Sequence, residues 1–182
     1  GLPENQIMGS GTILDTARLR YGLSEHFKVA QGNIHAYVFG EHGDTSFIPW
    51  TGAYISGLST DEYYEEMKAH GKDVKPLDKE AMLEYVQKSG GKVIAKKGAT
   101  FYAVSATVCQ LVGLILAASD SLATVSSMLH GEYGIEDVCL STLTLVGPNG
   151  IQGKVQMRMN KEEVALLKKS ADALKEVIAQ IE

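Results

Sequence analysis

The chain has 182 residues, 45% of them hydrophobic and 21% charged, which is enough for one well-buried core and too little for two ordinary α/β domains. Those fractions exclude a disordered or low-complexity chain. A net charge of −5, with lysine and arginine dispersed, offers no basic patch for counterion release, so no nucleic-acid partner is expected.

The opening "GLPENQIMGSG" has no basic segment followed by an apolar one, so no signal or transit peptide is expected. Residues 14–27, "LDTARLRYGLSEHF", read as a helix with Leu14, Ala17, Tyr21 and Leu23 toward an apolar side and Gly22 as a weak point. Gln31-Gly32-Asn33 is a turn, and the alternation of Ile34, Ala36 and Val38 with His35, Tyr37 and Phe39 predicts a strand over 34–39. Just past its end, "GEHGDTSFIPW" sets His42 between Glu41 and Gly43. Gly40 and Gly43 make this stretch flexible, while Phe47, Ile48 and Trp50 hem it in.

Residues 60–71 and 78–89 read as amphipathic helices that each open near an acid, and Gly90-Gly91 is expected to break the second. From Gly98 to Ser119 there is no charge, but Thr100, Ser105, Thr107 and Gln110 interrupt the run, so a buried core helix is expected and no membrane span. Residues 126–134 and 138–159 form a β-hairpin region turning at Gly147-Pro148-Asn149-Gly150. Asn160 with Glu163 is a capping-box pair. It opens a long C-terminal helix whose Val164, Leu167, Ala171, Leu174, Ile178 and Ile181 make one apolar seam. The pattern is α+β, with mainly antiparallel sheets packed on helices in a single domain over 1–182. Cys109 and Cys139 stand alone, which predicts buried free thiols in a reducing cytoplasm.

Several chemistries are missing. "GSGTIL" has Leu14 where a third phosphate-binding glycine would stand and no strand before it, and "GPNGIQGK" has the wrong spacing for a P-loop. His35, His42 and Asp44 do not fall on one helix face as a zinc motif requires, so no metal is expected.

What is present centres on Asp15. At roughly 100° per residue, Asp15 and Arg18 share a face of the first helix, and Arg20 points nearly the opposite way. The plainer reading is a surface i,i+3 ion pair, worth little. In the functional reading a buried Asp15 carboxylate fixes the tautomer of His42, favours its protonated form and makes it a general acid/base. Arg18 then offers a planar fork to the carboxylate of a small hydroxy or oxo acid.

Together "GSGTILDTARLR", "HAYVFGEHGDTSFIPW", "KKGATFYAVS" and "GEYGIEDVCLSTLTLVGPNGIQG" resemble the C-terminal half of the lactate/malate dehydrogenase superfamily, on its L-lactate dehydrogenase side. The resemblance implies NAD-dependent interconversion of pyruvate and L-lactate. His42 is then the proton donor and acceptor, Asp15 its partner, and Arg18 and Thr100 bind substrate. Ser10 and Val104 lie near the nicotinamide. It further implies a cytoplasmic homotetramer, and a fructose 1,6-bisphosphate site at Arg20 and His35, as in bacterial members. The NAD-binding domain of the family lies outside residues 1–182, so these residues alone are expected to be inactive. A malate dehydrogenase C-terminal domain is one alternative. A non-catalytic module for oligomerisation or sugar-phosphate binding is the other.

Overall fold

A computed structural model describes residues 1–181. Helix α1, Ile13–Phe27, carries Leu19, Leu23 and Phe27 at a spacing of four, and all three are buried. Gly22 is no weak point. An ideal Cβ there would stand 2.7 Å from Met82 Sδ and 3.2 Å from Tyr85 Cε1, so the missing side chain is what lets a later helix press close.

Strands β1 (Ile34–His35), β2 (Tyr54–Ile55) and β3 (Leu58–Ser59) form an antiparallel meander. The strand expected over 34–39 pairs with β2 only at its first two residues. The chain then changes partners. Val38 N–H donates to Thr16 Oγ1, Phe39 pairs with Phe47, and Gly40 pairs with Ser141. One stretch is thereby tied in turn to a sheet, to α1 and to a distant strand.

Helix α2, Thr60–Ala69, opens with a capping box between Ser59 and Glu62. Helix α3 spans Lys79–Lys97 and runs straight through Gly90-Gly91, contrary to the expected break. Each glycine costs about 0.5–1 kcal/mol against alanine in a helix interior. Asp78 capping the start, Gly98 closing the end at φ +77°, and the buried Val86 hold the helix together despite that cost.

Helix α4, Tyr102–Leu116, is the uncharged stretch, and it is not the expected buried core helix. Only Thr107 and Leu111 are buried, while Tyr102 is 81% and Leu116 79% exposed. Cys109 and Cys139 are free as expected but exposed, correcting the buried placement. No helix among the described residues is long and apolar enough to cross a membrane.

The remaining strands are β4 (Ser121–Ala123), β5 (Ser126–His130), β6 (Glu136–Ser141), β7 (Thr144–Gly147) and β8 (Gly150–Lys154). β5 pairs with β6, β7 lies between β4 and β8, and every pairing is antiparallel, with the expected turn at 147–150. Helix α5, Lys161–Ile178, opens with the expected Asn160–Glu163 capping box. Its seam is buried at Leu167 and Ala171 and emerges by Ile178 and Ile181, which are exposed. The fold is α+β. One apolar cluster joins α1 to β1, β2 and α3, a second joins Phe39 and Phe47 to β5, β6 and α5, and a smaller third lies under α4.

Candidate active site

Asp15 sits in the first turn of α1, where the helix N-terminus favours a carboxylate. Its side chain is only 6% exposed, so the charge needs partners. It has two. Arg18 Nη1 donates to Oδ1 at 3.1 Å, and His42 Nδ1 lies 2.6 Å from Oδ2. The i,i+3 ion pair therefore exists, but Arg18 is itself only 16% exposed, so it is no surface pair. Because an ionised carboxylate can only accept, the imidazole donates from Nδ1, leaving Nε2 as the nitrogen that exchanges a proton.

This contact moves the imidazole. The hydrogen bond to Asp15 raises the His42 pKa above the ordinary value of 6.5, partly opposed by burial; the charges of Asp15 and Glu41 add to the rise, and Arg18 counters it.

The loop carrying His42 is clamped from three sides. Gly40, at φ +97°, turns the chain where any Cβ would meet Ser170 Oγ at 2.7 Å. Ser170 Oγ, on α5, accepts from Glu41 N–H at 2.8 Å and lies 2.9 Å from the Thr45 hydroxyl, whose own proton goes to Glu41 Oε1 at 2.6 Å. On the other flank, Gln87 Nε2 of α3 donates to the carbonyls of Ser46 at 2.9 Å and Asp44 at 3.2 Å. The base of the loop closes through paired backbone bonds between Phe39 and Phe47. Thr16 meanwhile ties α1 to the chain entering the loop, through Val38. Neither Ser170 nor Gln87 belongs to any motif read from the sequence. A lone polar residue on a helix is ordinary, so neither position stood out in the sequence.

Asp15, Arg18, His42, Thr100 and Val104 line one cavity of about 310 Å³, so five of the expected site residues come together. Ser10 lies apart from these, in an adjoining cavity of about 540 Å³ that shares His42 and is bordered by Glu41 and Ser141. Arg20 is on the other side of α1, as the helix geometry requires. Its Nε donates to Ala36 O at 3.1 Å, its guanidinium lies 5.0 Å from the Tyr37 ring centre, and it borders a hollow of about 70 Å³ with Gln110. His35 is exposed on β1 and does not line that hollow. Among the described residues no group of three or more histidine, cysteine or acidic side chains is placed to hold a metal.

A proton-exchanging imidazole held by a buried carboxylate, with a guanidinium on the same cavity wall, can bind a carboxylate and move a proton at a neighbouring oxygen. Comparison with known proteins places the chain in a family. Residues 12–182 match the family described as lactate/malate dehydrogenase, alpha/beta C-terminal domain. The chain is similar to an L-lactate dehydrogenase of Acetivibrio thermocellus, 44% identical over 182 residues, covering 100% of this chain and 56% of the relative. L-lactate dehydrogenase 1 of Clostridium acetobutylicum is 42% identical, with 100% and 57% covered. Among solved structures, an L-lactate dehydrogenase from Clostridium thermocellum superposes with a TM-score of 0.89 at 35% identity, over 100% of this chain and 58% of that one. The minor L-lactate dehydrogenase of Enterococcus mundtii, in a ligand-bound form, gives 0.90 at 30% identity, over 100% and 57%. The chain thus spans little more than half the length of these relatives. It belongs to the lactate/malate dehydrogenase family, as the alpha/beta C-terminal domain.

Proposed function

We propose that residues 1–182 are the substrate-binding half of an NAD-dependent L-lactate dehydrogenase, interconverting pyruvate and L-lactate together with a dinucleotide-binding domain. The observation that carries this is the Asp15–His42 hydrogen bond at 2.6 Å, opening on a cavity that also holds Arg18. Arg18 spends one N–H on Asp15 and keeps the rest of its fork for the substrate carboxylate. His42 Nε2 takes the hydroxyl proton of lactate, or returns it to the carbonyl oxygen of pyruvate. Asp15 stabilises the imidazolium formed on the way. Thr100 packs beside the reacting carbon.

The residues present fit a nicotinamide. Val104 and Leu14 give an apolar wall beside His42, and the Ser10 hydroxyl borders the adjoining cavity, where an amide needs a polar partner. NAD, when bound, supplies the two-electron acceptor or donor. Arg20, with its Nε committed to Ala36 O, retains its Nη groups for an anion such as fructose 1,6-bisphosphate. Exposed His35 is assigned as the second anion-binding residue. We assign the enzyme to the cytoplasm as a homotetramer.

The test joins residues 1–182 to the dinucleotide-binding portion of the Acetivibrio thermocellus relative. NADH-dependent reduction of pyruvate is expected, with loss of activity in His42→Gln and none from residues 1–182 alone. A folded chimera that binds NADH and reduces no 2-oxo acid would overturn the reading.

A further inference from the structure

We infer that Thr12 and Thr16 are positioning residues for the proton-exchanging imidazole: their hydroxyls clamp Val38 to α1 and so set the register in which His42 meets Asp15. The kinetic consequence rests on the dehydrogenase reading above; the structural one does not.

Val38 lies four positions before His42 and is fully buried, so both of its backbone polar groups need partners. In an antiparallel ladder a single residue of the neighbouring strand would exchange both bonds with it. Here the two bonds go to side chains of the helix start instead. Thr16 Oγ1 accepts from the Val38 N–H at 3.0 Å, and the Thr12 hydroxyl donates to Val38 O at 2.5 Å. Two threonines four apart, on one face of α1, stand in for a strand residue.

Thr12 makes this contact in place of another. It is the N-cap residue of α1, where a threonine ordinarily turns its side-chain oxygen back to an N–H of the first turn. Among the described residues no side chain makes that bond, and the Thr12 hydroxyl is on Val38. A good capping residue left uncapping has a task outside its own helix.

The placement shows what the task is. Asp15 sits between the two threonines on the same turn. The residues leading into the His42 loop are held one by one: Val38 by Thr12 and Thr16, Phe39 by Phe47, and Gly40 by Ser141. Of these three holds, only the first is made by the helix that carries Asp15. Arg20 of α1 also reaches this stretch, at Ala36 O, but further along the chain from Asp15 and from His42. The 2.6 Å contact of Asp15 with His42 therefore depends on where the two hydroxyls put Val38.

The test follows the C2 proton of His42 by NMR in residues 1–182. The charges that face His42 are Asp15 and Arg18 on α1 and Glu41 in its own loop, and every substitution used leaves all three in place. Thr12→Val and Thr16→Val keep the shape and remove the hydroxyl. Each should lengthen the contact with Asp15 and lower the titration midpoint of His42, and Thr12→Ser and Thr16→Ser should restore the parent midpoint. Thr124 Oγ1 lies 3.1 Å from Thr16 Oγ1, one step removed from Val38. Thr124→Val thus removes a buried hydroxyl from the same group and should leave the midpoint where it is. In the chimera described above, the Thr12→Val and Thr16→Val variants should lose up to about 100-fold in kcat with a smaller change in KM, as for a misplacement of about 1 Å. A midpoint unmoved by Thr12→Val or Thr16→Val, moved as far by Thr124→Val, or left displaced in the serine variants would reduce the two hydroxyls to packing and overturn the inference. If Thr16→Val does not fold, Thr12→Val decides on the same criterion. A chimera that reduces no 2-oxo acid would fail the dehydrogenase reading and leave the titration to decide the role of the threonines.

Discussion

Asp15 and His42, 27 residues apart, meet through a 2.6 Å contact between Oδ2 and Nδ1, and this bond is the largest cause of the raised pKa of His42. Its effect on pH dependence has a definite sign. Because the folded pKa of His42 is raised above 6.5, the charged pair adds stability that is fully present below that value and lost as pH rises through the raised pKa. Asp15→Asn removes the main cause of the rise, so the C2 proton of His42, followed by NMR, should titrate at lower pH than in the parent. The stability difference between the two should be larger at pH 6 than at pH 9. In the chimera, pyruvate reduction should fall, and lactate oxidation should rise, as pH climbs through the raised pKa. A His42 titration unmoved by Asp15→Asn would remove the carboxylate from its assigned role.

Arg18 binds by geometry as much as by charge. One N–H is fixed on Asp15, and the planar fork presents the others together to a carboxylate. Lysine keeps the charge but replaces the fork with a point donor. Losing one charge-assisted hydrogen bond is worth about 1.5–3 kcal/mol. Arg18→Lys in the chimera should therefore lower kcat/KM for pyruvate by about 10–100-fold, chiefly through KM. Equal parent and variant KM values would show that the carboxylate binds elsewhere.

Ser170 holds the His42 loop from a helix 129 residues away in sequence, through the Glu41 N–H. The residue is fully buried, so Ser170→Ala leaves the Glu41 N–H without its acceptor. A loss of about 1–3 kcal/mol in denaturant unfolding is expected. The kinetic signature should be a lower kcat with a smaller change in KM, because the loop positions the proton donor and not Arg18. A variant as stable as the parent would show that the loop holds itself.

How far the sequence reached follows from how local each signal is. The Asp15–Arg18 relation, the Asn160–Glu163 cap of α5, and the turn at 147–150 depend on residues within a few positions of one another, and all were legible. Asp15 with His42 was legible as one reading of the residues beside a plainer surface ion pair, and the family resemblance is what singled the pair out. Alternation over 34–39 showed extended chain but not its partners, which are β2, α1 and Phe47 in succession, with Ser141 next at Gly40. The uncharged run from 98 to 119 showed that α4 wants cover. Hydrophobicity alone does not say whether the cover comes from the same chain, and most of that helix is exposed here. Gln87 and Ser170 were silent because a lone polar residue on a helix is ordinary until its distant partner is known.

Glycines in helices separate two physical roles, and substitution by alanine distinguishes them. At Gly91 the backbone is helical, nothing lies within 4 Å of the new methyl, and the residue is exposed. Alanine there should gain about 0.5–1 kcal/mol in denaturant unfolding, by restricting the unfolded chain without strain in the folded one. At Gly22 the helix is equally regular, but the methyl would enter the contact of α1 with α3, 2.7 Å from Met82 Sδ and 3.2 Å from the Tyr85 ring. Overpacking of this kind costs about 1–3 kcal/mol, which exceeds the propensity gain. Gly22→Ala should therefore destabilise while Gly91→Ala stabilises. Because α3 carries both Gln87 and the pocket wall, forcing it away from α1 should also loosen the His42 loop. Broadened amide signals from residues 40–46 in Gly22→Ala, and unchanged ones in Gly91→Ala, would show the helix contact governing the site. Identical spectra in the two variants would show that it does not.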